Sequence, residues 1–272
     1  MPSATDSTRR FTDRVANYVR YRPAYPAALL ETLRERARLT PASVVADVGS
    51  GTGILAALLL PLVRRVYAVE PNDAMRAAAE AWLGSGHGAG NAAGTANGTR
   101  GAGEFVSVAA TAEATTLPEA SVDLVTAGQA FHWFDHAAAR REFARILRPG
   151  GHVALVWNER ETDTTPFLRS YEALLQQHAR DYGRVKHTNV DETAIAAFFA
   201  PERHECIETA NEQRFDLDGL VGRSLSSSYA PNPGQPGHEA FVAALRNLFA
   251  AHAEADGRVS FRYRTRLYFG RL

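Results

Sequence analysis

One cysteine, Cys206, occurs in 272 residues, which excludes an internal disulfide framework and any cysteine-rich zinc site. A reducing, cytoplasmic setting is therefore expected. Net charge is also missing, because 30 basic side chains balance 30 acidic ones. A chain without an overall field does not gather a polyanion, so nucleic acid is not expected as a partner. Nor is a membrane expected. The longest apolar run, Ile54 to Val63, is interrupted by Pro61 and falls far short of the roughly 20 residues that span a bilayer. Met1 to Arg10 is polar and basic without an apolar centre, so no secretory signal is visible. No internal repeat is evident, and the chain has a glycine turn that lacks the G-x-G-x-x-G spacing of dinucleotide-binding proteins. At 45% hydrophobic residues, the chain is long enough for one large α/β domain with an appended cap, and a second full domain is not required.

What is present begins with Val44-Val45-Ala46-Asp47-Val48-Gly49-Ser50-Gly51-Thr52-Gly53, followed by apolar residues Ile54 to Leu60. This pattern predicts a buried strand, a glycine turn and a helix. Three alternating glycines bring main-chain N–H groups close to a ligand with no side chain in the way. Asp47 puts negative charge where a dinucleotide would bring its own, so a cationic cofactor fits better. S-adenosylmethionine carries a sulfonium and an ammonium, and Asp47 can attract the latter. Arg65 to Val69 predicts a second strand ending at Glu70, with Pro71-Asn72-Asp73 and an amphipathic helix from Ala74 to Trp82 behind it. A carboxylate at that tip, roughly 20 residues past the glycine turn, is placed to accept hydrogen bonds from ribose hydroxyls.

Further along, Glu104 to Val108, Val122 to Ala127 and His152 to Trp157 read as strands, with a helix from Ala137 to Leu147. Alternation of strand and helix patterns is what a parallel, doubly wound sheet requires. Helices are expected over Phe11–Arg22, Pro26–Arg38, Thr165–Tyr182, Asp191–Phe199, Leu217–Ser227 and His238–Ala255. Arg203 to Arg214 reads as a sixth strand. Val259 to Phe269 reads as a terminal strand whose polar/apolar alternation suits a half-exposed antiparallel edge. Residues 84–103, nearly all Gly, Ala, Asn, Thr and Ser, cannot repay their ordering entropy and read as a surface insertion. Arg148-Pro149-Gly150-Gly151 reads as a turn past a helix end.

Thr111 to Pro118 sits between the third and fourth strands, where ligands bind in open sheets. It either presents backbone to an adenine, with Ala112 and Glu113 closest, or is an ordinary capped loop. Gln129-Ala130-Phe131-His132-Trp133-Phe134-Asp135 follows the fourth strand with a density of aromatics that needs a reason. Aromatic faces beside a sulfonium gain roughly 0.5–2 kcal/mol. His132 is either a base or a histidine packed among core aromatics. Arg22 either pairs with the methionyl carboxylate or lies on a solvated helix.

Together these segments resemble the class I S-adenosylmethionine-dependent methyltransferases, in the group that methylates small molecules (methyltransferase type 11). Asp47 to Gly53 looks like that family's first motif, Glu70 like its ribose carboxylate, and Ala112-Glu113 with Leu117-Pro118 like its adenine loop. Tyr21-Arg22-Pro23-x-Tyr25-Pro26, Phe131 to Phe134, Leu147 to Gly151 and Ser224 to Pro231 are similar to a subgroup with trans-aconitate-type and cantharidin-resistance-type enzymes. The resemblance implies an α/β, Rossmann-like sheet of seven strands with the last antiparallel, in a single domain over 1–272. It implies an N-terminal helical lid over 1–40 and a helical substrate cap over 159–200. The cofactor would be S-adenosyl-L-methionine and the partner a small-molecule acceptor, methylated on O or N, with the chain a monomer or homodimer and no metal. Residues assigned to the cofactor are Tyr21, Arg22, Asp47, Gly49 to Gly53 and Glu70 to Asn72, with Met75, Ala112, Glu113, Gln129, Ala130 and Phe131. Tyr18, His132, Trp133, Trp157, Ser226, Ser228 and Tyr229 are assigned to the acceptor pocket. A nicotinamide oxidoreductase and a non-catalytic cofactor-binding regulator are the competing readings.

Overall fold

Val44-Val45-Ala46-Asp47-Val48 is buried at every position, as a central parallel strand covered on both faces must be. Side chains alternate across the pleat, so Val44, Ala46 and Val48 join one core while Val45 joins the core on the other face. The computed structural model describes residues 21–84, 103–179, 182, 191–227 and 229–272. Tyr18, Ser228, most of the expected 11–22 helix and nearly all of the Gly/Ala-rich insertion lie outside the described residues.

Helix α1 (Ala27–Arg36) precedes β1 (Val44–Val48), α2 (Ile54–Leu59), β2 (Arg65–Val69), α3 (Asp73–Ala79) and β3 (Glu104–Val108). Then come β4 (Val122–Gly128), α4 (His136–Ile146), β5 (Leu147–Arg160), α5 (Pro166–His178) and α6 (Glu192–Phe199). β6 (His204–Phe215), α7 (Leu217–Leu225), α8 (His238–His252) and β7 (Val259–Gly270) complete the order. The seven strands form one sheet in the order β3-β2-β1-β4-β5-β7-β6. β7 runs antiparallel to both β5 and β6, and the other described pairings are parallel.

Several helix starts follow from local chemistry. Asn72, Asp135, Thr165, Asp191 and Asp216 each turn a side-chain oxygen onto an orphan amide of the first turn.

Two expectations need correcting. β7 is not an edge, since it is hydrogen-bonded along its length to β6 on one side and over residues 263–270 to β5 on the other; β6 is the edge strand. Alternation reports one buried face, and it does not report how many neighbours a strand has. Arg148 to Gly151 is not a turn ahead of the fifth strand. Leu147 already pairs with Val122, and the register then jumps so that Leu124 pairs with His152, which makes 148–151 an irregularity within β5. Arg148 closes it by donating from Nη1 to both Asp123 oxygens at 2.8 Å.

β4 ends where Gly128 pairs with Val156, but β5 continues for four residues to Arg160, and Tyr263 of β7 stays paired with it there. That overshoot raises a ledge ~13 Å beyond the neighbouring parallel strand. A third core sits on it, with Phe167 and Tyr171 of α5, Leu220 of α7 and Phe241 of α8 packed on Phe261 of β7.

Candidate functional site

The glycine turn after β1 is tied down at three points. The amides of Gly49 and Ser50 both donate to the carbonyl of Val69, at 2.8 and 3.1 Å, which fixes the turn to the end of β2. Glu70 then holds its middle: Oε2 accepts from Gly51 N at 2.9 Å and Oε1 from Asn72 N at 2.9 Å. Both carboxylate oxygens retain lone pairs for further donors. Burial raises the Glu70 pKa, opposed by the two amide bonds and by the charge of Arg76. Gly49, Gly51 and Gly53 all have positive φ. A Cβ on Gly51 would touch little in the protein, with Met75 Sδ the nearest atom at 3.7 Å, so the space over this peptide is open.

That space is a cleft of about 500 Å³ walled by Arg22, Asp47, the segment Gly49 to Thr52, and Gln129. Tyr25, Leu55, Gly128 and Asn158 complete it. Asp47 is 1% exposed. Its Oδ1 accepts from Thr126 Oγ1 at 2.8 Å, a contact set by the β1–β4 register that pairs these two residues. Among the described residues Oδ2 has no hydrogen-bond partner, and neither have Ser50 Oγ, Thr52 Oγ1 and Gln129 Oε1. Buried polar atoms are normally satisfied, so four unsatisfied ones around a single cleft mark a place where a polar ligand completes the bonding.

Desolvation pushes the Asp47 pKa up to about 7, with the nearby Glu70 adding to the rise. The Thr126 hydroxyl opposes it, as does the Ala56 amide, which is near but outside hydrogen-bonding geometry. A carboxyl whose pKa is raised on folding stabilises the ligand-free protein fully below about pH 4; that contribution fades with rising pH and is gone above about 7. A cationic ligand prefers the ionised form, so its affinity is expected to climb about tenfold per pH unit and level off above pH ~7. Titration calorimetry across pH 5.5–8.5 measures this slope, and a flat profile for the wild type would show that Asp47 does not face the cation. Asp47→Asn is expected to remove the slope.

Gln129 links this cleft to a second chamber of about 510 Å³, in which Arg160, Tyr182, Arg223, Tyr229 and Tyr263 take part. Its backbone sits at φ +55°, a strained choice for a residue other than glycine. Its Nε2 donates to the carbonyl of Asn158 at 3.0 Å. Arg22, Pro23, Gln129 and Asn158 wall both spaces.

Of the residues assigned from sequence, Arg22, Asp47, Gly49, Ser50, Gly51, Thr52 and Gln129 meet around the cleft, and Tyr229 walls the second chamber. Glu70 reaches the cleft through the Gly51 amide. Met75 is buried beside Gly51, Asn72 caps α3, Pro71 is exposed, and Gly53 is the left-handed residue preceding α2. Ala112 is buried, and Glu113 accepts from the Asp135 amide at 2.9 Å. Neither reaches the two spaces. Tyr21 lies on α7, where a Cβ on Gly222 would strike its ring at 2.1 Å.

The aromatic segment after β4 packs mainly inward. Phe131 stacks on His136 with centroids 4.1 Å apart and meets Phe198 and Trp157 edge-on, so Phe131 and Trp157 belong to the core. Ala130 is buried under Gly49, where a Cβ would stand 2.5 Å from its own. His132 is exposed on a short 3₁₀ turn, tilted against the half-buried Trp133, and neither ring walls either space. Desolvation, then the charge of His136, lowers the His132 pKa. Ser226 is fully buried and donates to Arg223 O at 2.7 Å, a bond that closes the end of α7.

Sequence reasoning missed Tyr25, Asn158, Arg160, Tyr182, Arg223 and Tyr263. For Asn158 a signal existed, as it is the first polar residue after an apolar strand at the ligand edge.

Residues 46–155 match the family model described as a methyltransferase domain. The chain carries a methyltransferase domain over these residues. An uncharacterized methyltransferase of Mycobacterium tuberculosis (strain H37Rv) is 36% identical to this chain over 159 residues, 58% of the chain and 56% of the relative. The match thus spans little more than half of that relative's length. A solved structure from Anaeromyxobacter dehalogenans, provisionally named a Type II methyltransferase, superposes with a TM-score of 0.64 at 26% identity, covering 92% of this chain and 98% of that one. A Geobacter sulfurreducens S-adenosylmethionine-dependent methyltransferase, solved with S-adenosyl-L-homocysteine, shares the fold at 16% identity and a TM-score of 0.51, covering 97% and 98% of the two chains. Among the described residues, no group of side chains could hold a metal ion and no helix is long and apolar enough to cross a membrane.

Proposed function

We propose that the protein transfers the methyl group of S-adenosylmethionine to a small-molecule acceptor, on O or N, in the cytoplasm. The observation that carries this reading is the cleft with four unsatisfied polar atoms beside the glycine turn and Glu70. Asp47 Oδ2 and Gln129 Oε1 supply acceptors suited to an ammonium, Arg22 supplies a cation for a carboxylate, and Glu70 supplies acceptors for sugar hydroxyls. When bound, S-adenosylmethionine supplies an activated methyl on a sulfonium that departs as a neutral thioether.

Holding the acceptor in line is the protein's main task, because orientation alone removes about 7–11 kcal/mol from a barrier. The second chamber, joined to the cleft through Gln129 and Asn158, is the place for the acceptor, with residues of the 159–200 cap and Tyr229 forming its walls. His132 stands off both spaces, so a role as base requires the acceptor to reach outward to it. Full turnover by His132→Ala with unchanged cofactor affinity would remove that role.

The direct test is incubation with tritium-labelled methyl donor and a metabolite panel. Labelled product that disappears with Asp47→Asn supports the reading. Tight binding of the donor with no product from any acceptor favours a non-catalytic binding protein.

A further inference from the structure

Arg22 and Pro23 stand between the cleft and the second chamber and wall both. They lie in the segment ahead of α1, and the carbonyls on either side of the pair are both pinned from outside the site. Gln213 Nε2 donates to Tyr21 O at 3.4 Å, and Asn211 Nδ2 donates to Ala24 O at 2.8 Å. Asn158 Nδ2 adds a longer bond to the same Ala24 oxygen, at 3.3 Å. Asn211 and Gln213 share one face of the edge strand β6, where half-buried positions alternate with exposed Ala210, Glu212 and Arg214. Each amide is itself oriented: Tyr263 Oη donates to Gln213 Oε1 at 3.0 Å, and Asn211 Nδ2 lies 3.2 Å from Asn158 Oδ1. The Tyr21 ring is fixed as well, edge-on to Phe215 and against Gly222. The far end of Arg22 donates from Nη2 to Ser226 O at 3.2 Å. Asn211 and Gln213 wall neither space, so their donors serve the segment and not a ligand.

We infer that Asn211 and Gln213 are positioning residues, which hold the backbone on both sides of Arg22 so that its guanidinium meets the amino-acid end of the bound donor. A guanidinium pairs with a carboxylate through two parallel N–H bonds, and that geometry tolerates little displacement of the chain that carries it. The inference rests on the proposed methyl-donor reading, in which Arg22 supplies the cation for a carboxylate.

The test compares two ligands by calorimetry: S-adenosylhomocysteine, and methylthioadenosine, which has the nucleoside and the thioether but no amino-acid end. Asn211→Leu combined with Gln213→Met removes both amides without adding charge. This double variant is expected to bind S-adenosylhomocysteine about 2- to 12-fold more weakly, the worth of one hydrogen bond. Its affinity for methylthioadenosine is expected to stay at the wild-type value, which also reports that the variant folds. With Arg22→Ala already in place, the same two substitutions are expected to cost nothing further, because they act through that side chain. Equal losses for the two ligands, no loss for either, or a loss that persists beside Arg22→Ala overturns the inference. If the wild-type protein does not bind S-adenosylhomocysteine, the methyl-donor reading fails, and chymotryptic cleavage after Tyr21 tests the pinning by itself. Faster cleavage in the double variant then supports a hold on Arg22, and an equal rate overturns it.

Discussion

Glu70→Gln is expected to weaken S-adenosylhomocysteine binding by about 10- to 150-fold, the loss of one or two hydrogen bonds to a charged acceptor. The carboxylate is held 2.9 Å from both the Gly51 and Asn72 amides, so its position is set before any ligand arrives. An amide side chain keeps one acceptor and turns an N–H toward the other partner. Glu70→Ala removes both acceptors and leaves two backbone amides short of a partner near the buried end of β2. That variant is expected to lose ~1–3 kcal/mol of stability as well as its affinity. Calorimetry on both variants, with melting temperatures alongside, separates the two effects. Wild-type affinity in Glu70→Gln would show that no ligand hydroxyl reaches this carboxylate.

Gly49→Ala and Gly51→Ala are expected to fail in different ways, although they lie two residues apart. A Cβ on Gly49 would stand 2.5 Å from Ala130 Cβ at a φ of +67°, a position with no flexible neighbour to give way. Left-handed backbone for an L-residue costs about 1–2 kcal/mol and overpacking about 1–3 kcal/mol more, so a shift of about 2–5 kcal/mol in chemical denaturation is expected. The Cβ of Gly51→Ala meets only Met75 Sδ at 3.7 Å, and the chain pays the backbone cost alone. Its methyl occupies the space above the peptide, and ligand affinity is expected to fall by about 5- to 150-fold. Gly51→Ala with full affinity would place the ligand elsewhere.

The parallel half of the molecule was legible because its strands are short β-rich runs between turns and helix patterns: Arg65 to Val69, closed by Glu70, and Glu104 to Val108 were read with the bounds they have. β5 was read short because Gly150 and Gly151 look like a turn, and only pairing with β4 shows that the strand already runs through them. β7 was read as an edge because a half-polar strand looks the same whether it has one neighbour or two. The glycine turn, Asp47 and Glu70 were visible as residue types at fixed offsets. Arg160 and Arg223 were not, because they reach the second chamber from elements more than 60 residues apart in sequence, and no local pattern records that meeting. Phe131 and Trp157 drew attention as pocket aromatics, yet an aromatic cluster after a strand serves the core equally well.

The central claim is that the cleft at the glycine turn takes S-adenosylmethionine, and one calorimetric titration tests it most directly. Wild-type protein with S-adenosylhomocysteine is expected to give single-site binding, and NAD no heat of binding. Absence of S-adenosylhomocysteine binding, or binding that Asp47→Asn and Glu70→Ala leave unchanged, would contradict the account.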